Sequence, residues 1–525
     1  MRSLYLFGSL FLVAVSSVTG QPKRPVPVPK RPVPAGVRQG QPPVPAPVPV
    51  PISSPVRYSV ELGGLTATPA QTPFWLSTNQ YGLIPPRGSF GTLRVGAQRE
   101  YAVRRDSTRQ RPPRFDWGFG LYAVANAGAP RLANNPALLL PDAYAKVKFG
   151  WLEFYGGNRR EVVGLGDTAL TSGFIAWSGN AVPFPKLQLH TPDYVPLKFT
   201  KGLLALRAGY AHGWFVNTYV QGSYLHQKYL YGRFGKPGWH VRLYAGLNHQ
   251  VQWGGRADYL VGTPLAVNGT LPTSFRDYLS LVSGHYPDDV QNNRFTGFDG
   301  ENRIGNHVGS YDVALEWKRR ASNWLLYHQH IYEDASGLAF QNLPDGLTGL
   351  RFLNRRTTPT AFRVQRLVLE WLSTTNQSGP VFDQRIRYQG RDNYFNHSQY
   401  REGWSYRGRT LGTPFIAPRS NFSQAVNNFT GGGFFPNNRV IAWYAGAGGS
   451  FRRGPLLTAR ASYSRNFGTY NQPYPRPFHQ FSTLVSAQWP LAAWPGALLT
   501  TSVALDRGEL YPNSIGSYLS LRKSW

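Results

Sequence analysis

From Val56 onward the chain alternates apolar and polar residues with period two, and this pattern limits its fold more than any other feature. Phe115, Trp117, Phe119, Leu121, Ala123 and Ala125 share one face, while Asp116, Gly118, Gly120 and Asn126 lie mostly on the other. Trp239, Val241, Leu243, Ala245 and Leu247 alternate in the same way with His240, Arg242, Tyr244, Gly246 and Asn248. Tyr311, Val313, Leu315 and Trp317 do so with Asp312, Ala314, Glu316 and Lys318. One face suits hydrocarbon and the other water. A sheet of such strands in a membrane must close on itself, because an open edge leaves backbone groups unpaired where no water reaches. Beyond the N-terminus no apolar run approaches the roughly 18 residues of a membrane helix. The expected class is therefore all-β: a transmembrane, antiparallel outer-membrane β-barrel.

Connection lengths give a second line of argument, since such barrels have short periplasmic turns, long outer loops and both termini inside. Counting back from the C-terminus, residues 508–513 are outer, 490–496 inner, 467–477 outer and 452–455 inner. About 390–438 is then outer, 373–379 an inner turn, 334–362 outer, a tight turn near Arg320 inner, and 256–308 outer. The long connections all fall on the outer parity. Continuing to Val56 gives 16 to 18 strands, with 18 preferred. The last stretch, Ser514 to Trp525 (SIGSYLSLRKSW), is expected to descend to the periplasmic face and pair with the first strand. Arg522 to Trp525 reads as a short interfacial extension in which Lys523 snorkels.

Residues 1–20 have one basic residue, an apolar run from Leu4 to Val15 and small residues before Gln21, which is the pattern of a secretory signal peptide. Residues 21–55 are dominated by Pro and Val and read as a semi-rigid, extended periplasmic linker. Residues 56–525 form the barrel. The chain has no cysteine, which removes lipoprotein anchors, disulfides, thiolate metal sites and cysteine nucleophiles. The formal net charge is +30, and only 11 of the 56 basic residues are lysine. Guanidinium groups bind carboxylate and phosphate bidentately, so the balance points to an anionic partner. Nucleic acid is disfavoured, because the chain is exported and its arginines are dispersed.

Four stretches depart from the strand pattern. Pro73 to Pro86 (PFWLSTNQYGLIPP) sets Phe74, Trp75 and Tyr81 beside Asn79 and Gln80, which fits either a sugar-stacking platform or an inward plug or girdle. Ala176 to Pro196 (AWSGNAVPFPKLQLHTPDYVP) reads as a shaped loop. His249 to Gly255 (HQVQWGG) ends a strand at two glycines, implying a close backbone approach. Asp392 to Pro414 (DNYFNHSQYREGWSYRGRTLGTP) falls in an outer loop by parity and is rich in Tyr, Trp and Arg.

These elements, in this order, resemble the capsule-assembly Wzi-type outer-membrane proteins, in the form common among Bacteroidetes-like bacteria. HQVQWGG, the SGN and TPDYVP elements, PFWLSTNQYG and above all GWSYRGRTLGTPF carry the resemblance, which spans roughly residues 57–525. It implies an 18-stranded barrel with a closed lumen and a lectin-like role, holding capsular polysaccharide at the cell surface. The sequence departs from the better-known members in having a Pro-rich linker in place of a periplasmic helical bundle. Short stretches around Thr168 to Ala176 are the only further helical candidates.

Catalytic constellations are lacking. His328 and His330 share a strand face beside Tyr327 and Tyr332, which fits a structural or interfacial role better than a metal site. No carboxylate pair makes a glycosidase dyad, and GDTALTSG at 166–173 lacks the nucleophile elbow. The leading reading is a non-enzymatic barrel that binds an anionic capsular or surface polysaccharide. Its alternatives are a substrate-specific porin and a barrel-embedded hydrolase. The candidate polysaccharide contacts are Tyr394, Trp404, Tyr406, Arg407 and Arg409, with His249 and Trp253 as further candidates. Outer-membrane lipid and the capsule export machinery are the other expected partners, and no cofactor or metal is expected.

Overall fold

A computed structural model of the chain describes residues 56–525 except 70, 102–113, 130–136, 217–218, 285–291, 357–360, 384–389, 430–432 and 453. The signal-peptide and linker expectations lie outside the described residues. Eighteen antiparallel strands form one closed sheet. They are β1 (Val56–Thr68), β2 (Phe90–Arg99), β3 (Phe115–Ala127), β4 (Leu138–Phe149), β5 (Leu152–Asn158) and β6 (Pro185–His190). Then come β7 (Leu204–Trp214), β8 (Tyr224–Phe234), β9 (Val241–Trp253), β10 (Asn306–Lys318), β11 (Ser322–Tyr332) and β12 (Gly346–Asn354). The sheet finishes with β13 (Phe362–Ser373), β14 (Val440–Phe451), β15 (Leu456–Gly468), β16 (Pro473–Pro490), β17 (Ala497–Gly508) and β18 (Ser514–Ser524). Val195–Pro196 resumes the pairing of β6 with β7 and counts as part of the same strand.

The alternation sets the faces as expected. Trp117, Leu121, Val241, Leu243, Val313 and Leu315 point outward and are exposed, whereas Asp116, Arg242, Asp312 and Glu316 are buried inside. Leaving one such large apolar side chain in water forgoes about 1.5–3 kcal/mol, so a whole belt of them calls for a bilayer as solvent. No helix among the described residues is long and apolar enough to cross a membrane, and the strands do the crossing.

The last strand closes the barrel against the first, from Thr68 opposite Ile515 to Ser59 opposite Ser524. Pairing does not stop at Leu521. Arg522 lies opposite Glu61, and the Trp525 amide donates to the Tyr58 carbonyl at 3.0 Å while the Tyr58 amide donates back at 3.3 Å. Arg522 to Trp525 is thus part of the closing ladder and not an extension beyond it, because the backbone there finds its partners on β1.

Two connections differ from the parity count. β13 runs straight from Ser373 into one outer connection, 374–439, so 373–379 is not an inner turn. The inner connection falls instead between β12 and β13, because Gly346–Asn354, inside the stretch expected as one loop, is strand β12. The two differences cancel, which leaves the strand number and the outer placement of the long loops intact. No helix forms at Thr168 to Ala176. Short helices do form in the outer connections, among them α1 (Phe74–Ser77), α2 (Phe275–Ser283), α3 (Gly297–Asn302) and α4 (Ala335–Leu338).

Three outer connections fold back into the lumen as a plug: residues 71–86, 159–184 and the part of 374–439 around 394–417. Inward carboxylates and amides of the wall hold their backbones. The Phe74 amide donates to Asp506 Oδ2 at 2.8 Å, the Leu165 amide to Asp312 Oδ2 at 2.9 Å and the Ser172 amide to Glu370 Oε2 at 2.6 Å. Gln329 both accepts from the Ile175 amide at 2.9 Å and donates to the Leu165 carbonyl at 3.0 Å. Loop backbone inside a barrel carries many polar groups, and these bonds satisfy them where water is scarce.

Candidate functional site

The plug takes up most of the aromatic stretches singled out by sequence. Phe74 stacks on Tyr511 with ring centroids 5.5 Å apart, and the Trp75 indole donates to Ser462 Oγ at 3.0 Å. PFWLSTNQYG is therefore the inward plug of the two alternatives. Trp404 is fully buried, its indole donating to the Ala176 carbonyl at 2.9 Å. Tyr406 packs on Phe184 at 4.3 Å, and the Tyr394 hydroxyl lies 3.0 Å from Asp345 Oδ2. These three rings present no face to an external ligand. Gly403 explains the tightness: its φ is +55°, and a Cβ there would collide with the Phe395 carbonyl oxygen.

Arg409 donates to the carbonyls of Ser77 and Ile84, bridging two turns of the plug, while Arg407 keeps partial exposure beside the Tyr406 ring. Both line a cavity of about 280 Å³ between plug segments. His249 and Trp253 lie elsewhere, on the outward face of β9. His249 Nε2 is 2.9 Å from His307 Nδ1, and Trp253 packs on Tyr278 of α2 at 5.2 Å. The seven sequence candidates thus fall into three separate places. The glycine pair after Trp253 behaves as read: Gly255 has φ +97° and leaves 2.8 Å for a Cβ against the Gln221 carbonyl.

A wide outward-opening concavity lies above the plug, at the outer ends of β10 and β11, with a volume of about 1250 Å³. That exceeds the roughly 300–1,000 Å³ of a site for a drug-sized ligand. The connections 254–305, 333–345, 374–439 and 469–472 build it. Its walls interleave the aromatic groups Phe298, Phe382, His397 and Phe434 with the amides Asn302, Asn393, Asn396 and Asn471. Phe298 and His397 meet edge to face at 6.2 Å, and Phe382 is exposed. Asn396 is fixed by Phe435, donating to its carbonyl at 2.9 Å and accepting from its amide at 3.1 Å. Aromatic faces beside oriented amides can stack on a sugar ring and bond its hydroxyls.

Acidic groups temper the charge of this cleft. Ser336 Oγ lies 2.6 Å from Asp334 Oδ1 and 3.0 Å from Asp392 Oδ1. The Ser336 proton serves only one of the two carboxylates, and Ser378 Oγ donates to Asp392 Oδ2 at 2.8 Å. Burial, then repulsion from Asp334, pushes Asp392 up to about 7, so below that pH it is neutral and the repulsion between the two carboxylates is relieved. Burial likewise raises Asp299, on the buried side of α3, to about 7, where Gln399 Nε2 donates to it at 3.0 Å. Burial lowers His397 to about 4, so it stays neutral near pH 7.

A family model for capsule assembly protein Wzi matches residues 93–417, more than half of the chain. The chain belongs to this family. Among solved structures it is similar to Wzi from Escherichia coli, described as an outer membrane protein involved in group 1 capsule assembly and a carbohydrate-binding β-barrel. That similarity has 15% identity and a TM-score of 0.55 over 88% of this chain and 83% of that one. OccAB2 of Acinetobacter baumannii (9% identity, TM-score 0.43) covers 90% of this chain and 97% of its own. OccK8 (OprE) of Pseudomonas aeruginosa (10% identity, TM-score 0.42) covers the same shares. No curated protein sequence matches. The lipid-facing belt, the closed sheet and the family place the protein in the outer membrane.

The stretch Asp392 to Pro414, singled out by sequence, does line the cleft through Asn393, Asn396 and His397, but the cleft's other walls were missed. Phe295 to Gly305 (FTGFDGENRIG) has the same mix of aromatics and amides that drew attention to PFWLSTNQYG, but it was passed over as part of the outer connection 256–308. Helix α2 was also readable: Ser274 and Asp277 form a capping box, with the Asp277 amide donating to Ser274 Oγ at 3.2 Å and the Ser274 amide to Asp277 Oδ2 at 3.0 Å. It lies against the outer part of the barrel wall, its Tyr278 hydroxyl 2.6 Å from that of Tyr210, and is no substitute for a periplasmic bundle.

Proposed function

We propose that the protein is a non-catalytic binding barrel that holds capsular polysaccharide at the cell surface through the outer cleft. The observation that carries this reading is the 1250 Å³ cleft, walled by aromatics and amides, directly above a lumen closed by hydrogen-bonded plug segments. The carbohydrate binding described for the Escherichia coli relative supports it. Phe298 and Phe382 stack on the glycan, and the neighbouring amides bond its hydroxyls. The sequence candidates buried in the plug act here as supports: Trp404, Tyr406 and Arg409 hold the cleft's floor. The plug also argues against a substrate-specific porin, since a conducting path requires its wall bonds to break. The test is equilibrium binding of the host's purified capsular polysaccharide to the protein in detergent micelles. Phe298→Ala/Phe382→Ala is expected to weaken binding at least tenfold, at about 1 kcal/mol per stacked ring. Unchanged affinity in a folded double variant refutes the outer cleft as the site.

A further inference from the structure

Below the plug, the inner half of the lumen is a second chamber of about 1110 Å³. Its roof is the plug, including Trp75, Tyr81 and Leu170, and its walls are the inner ends of strands from β10 round to β2. Eight basic side chains line it, against the two carboxylates Glu61 and Glu316.

Some of this charge is neutralised locally. Arg94 pairs with Glu61 at 3.3 Å, Arg160 with Asp142 at 2.6 Å and Arg366 with Asp167 at 2.7 Å. Glu316 is taken by Arg242 at 2.6 Å, with Lys318 at 3.8 Å. Four arginines remain with no carboxylate partner among the described residues: Arg351, Arg355, Arg460 and Arg522. Arg351 donates to Asn323 Oδ1 at 2.8 Å and Arg460 to the Ala169 carbonyl at 3.3 Å. Buried donors are still left over, since Arg351 Nε and Arg460 Nη1 have no acceptor among the described residues.

Arg351 and Arg460 are half-buried and Arg355 and Arg522 exposed, so the four like charges repel one another across the lumen, and the unmet buried donors of Arg351 and Arg460 cost free energy. A wet wall with no ligand to bind needs only the hydroxyls and amides that also line this chamber, such as Gln365, Ser486 and Thr500. Arg351, Arg460 and Arg522 stand on β12, β15 and β18, three strands apart each time, or about 14 Å along the wall at the usual strand spacing. Charges so dispersed suit a ligand whose anionic groups are also spread out. The closed sheet offers no edge for an acidic peptide to join as a strand, and the closed wall gives acyl chains no lateral entry.

We propose that this inner chamber is a second binding site, reached from the periplasm, for an acidic saccharide whose carboxylate or phosphate groups engage Arg351, Arg355, Arg460 and Arg522. It rests on the reading of the protein as a glycan binder and assigns recognition of charge to the side opposite the outer cleft.

The test uses the full-length mature protein in micelles at low salt, with oligogalacturonate as the acidic probe. A maltooligosaccharide of equal length and inorganic phosphate are the comparison ligands, and heat-modifiable gel migration checks folding. Oligogalacturonate is expected to bind, the neutral oligomer at least tenfold more weakly, and Arg351→Gln/Arg460→Gln/Arg522→Gln to lose at least tenfold in affinity. Phe298→Ala/Phe382→Ala is expected to leave this binding unchanged. No binding to the wild type, or equal binding by a folded triple-Gln variant, overturns the inner site. Affinity no greater than that of phosphate at equal charge overturns the saccharide assignment. Because the outer reading is tested by host-polysaccharide binding to the Phe298/Phe382 variant, the two proposals fail separately.

Discussion

The two chambers on either side of the plug are similar in volume and differ in charge balance: four carboxylates against three arginines line the outer one, and eight basic groups against two carboxylates the inner one. The outer one sets phenylalanines and asparagines beside a hydroxyl-bridged carboxylate pair; the inner one sets arginines among hydroxyls. One barrel wall thus carries two differently lined chambers, provided that something keeps them apart. Here the partition is the plug, and the inward groups Asp312, Gln329, Glu370 and Asp506 hold it in place.

Breaking the partition should have the largest effect. Trp404→Ala empties a fully buried indole site, which costs about 3–5 kcal/mol where the surroundings cannot collapse. We expect the barrel to persist while the plug loosens. Planar-bilayer recordings should then show steady current for the variant and none for the wild type. A wild-type current equal to the variant's removes the partition from the account.

Salt should separate the chambers next. Raising NaCl from about 0.05 M to 0.5 M shortens the screening length from roughly 14 Å to 4 Å. Acidic-oligosaccharide binding to the inner chamber should fall at least tenfold, and neutral-glycan binding to the outer cleft by less than about threefold. Equal salt slopes contradict the assignment of charge to one side. A single Phe298→Ala change should cost about fivefold at the outer cleft and nothing at the inner one.

The smallest expected effect is that of pH. Asp392 is raised above the ~3.9 of an unfolded aspartate, so its contribution to stability is complete below that value and is lost as pH climbs through about 7. Between pH 6 and 8 outer binding should weaken by about two- to threefold, as Asp334 and Asp392 come to repel across Ser336. Asp392→Asn should flatten that profile, measured by titration at both pH values. Inner binding should not follow it, because arginine stays protonated.

The barrel was legible because both faces of strands such as β3, β9 and β10 carry contrasting residues, and lipid outside with polar lumen inside imposes one periodicity on the whole wall. β12 was lost because its Gly346-Leu-Thr-Gly start resembles a loop; its side chains Arg351 and Leu353 then face the inner chamber while Leu350 faces out. The plug illustrates a deeper ambiguity. Trp75 and Trp404 sit among amides, prolines and glycines, and the same composition serves a surface platform and a hydrogen-bonded filling. Only the three-dimensional fold separates the two, by showing which rings keep an exposed face. The arginine excess pointed correctly to uncompensated positive charge. It did not reveal that Arg351, Arg460 and Arg522, far apart in sequence, converge below the plug while Arg409 is spent on backbone carbonyls.

The central claim, that the protein retains polysaccharide from the outer cleft, is tested most directly in cells. The native host, deleted for this protein and complemented with wild type or with Phe298→Ala/Phe382→Ala, is assayed for cell-bound and released capsule at equal outer-membrane levels. The double variant is expected to shed its capsule into the medium as the deletion does, while the wild type keeps it. Full retention by the double variant contradicts the claim.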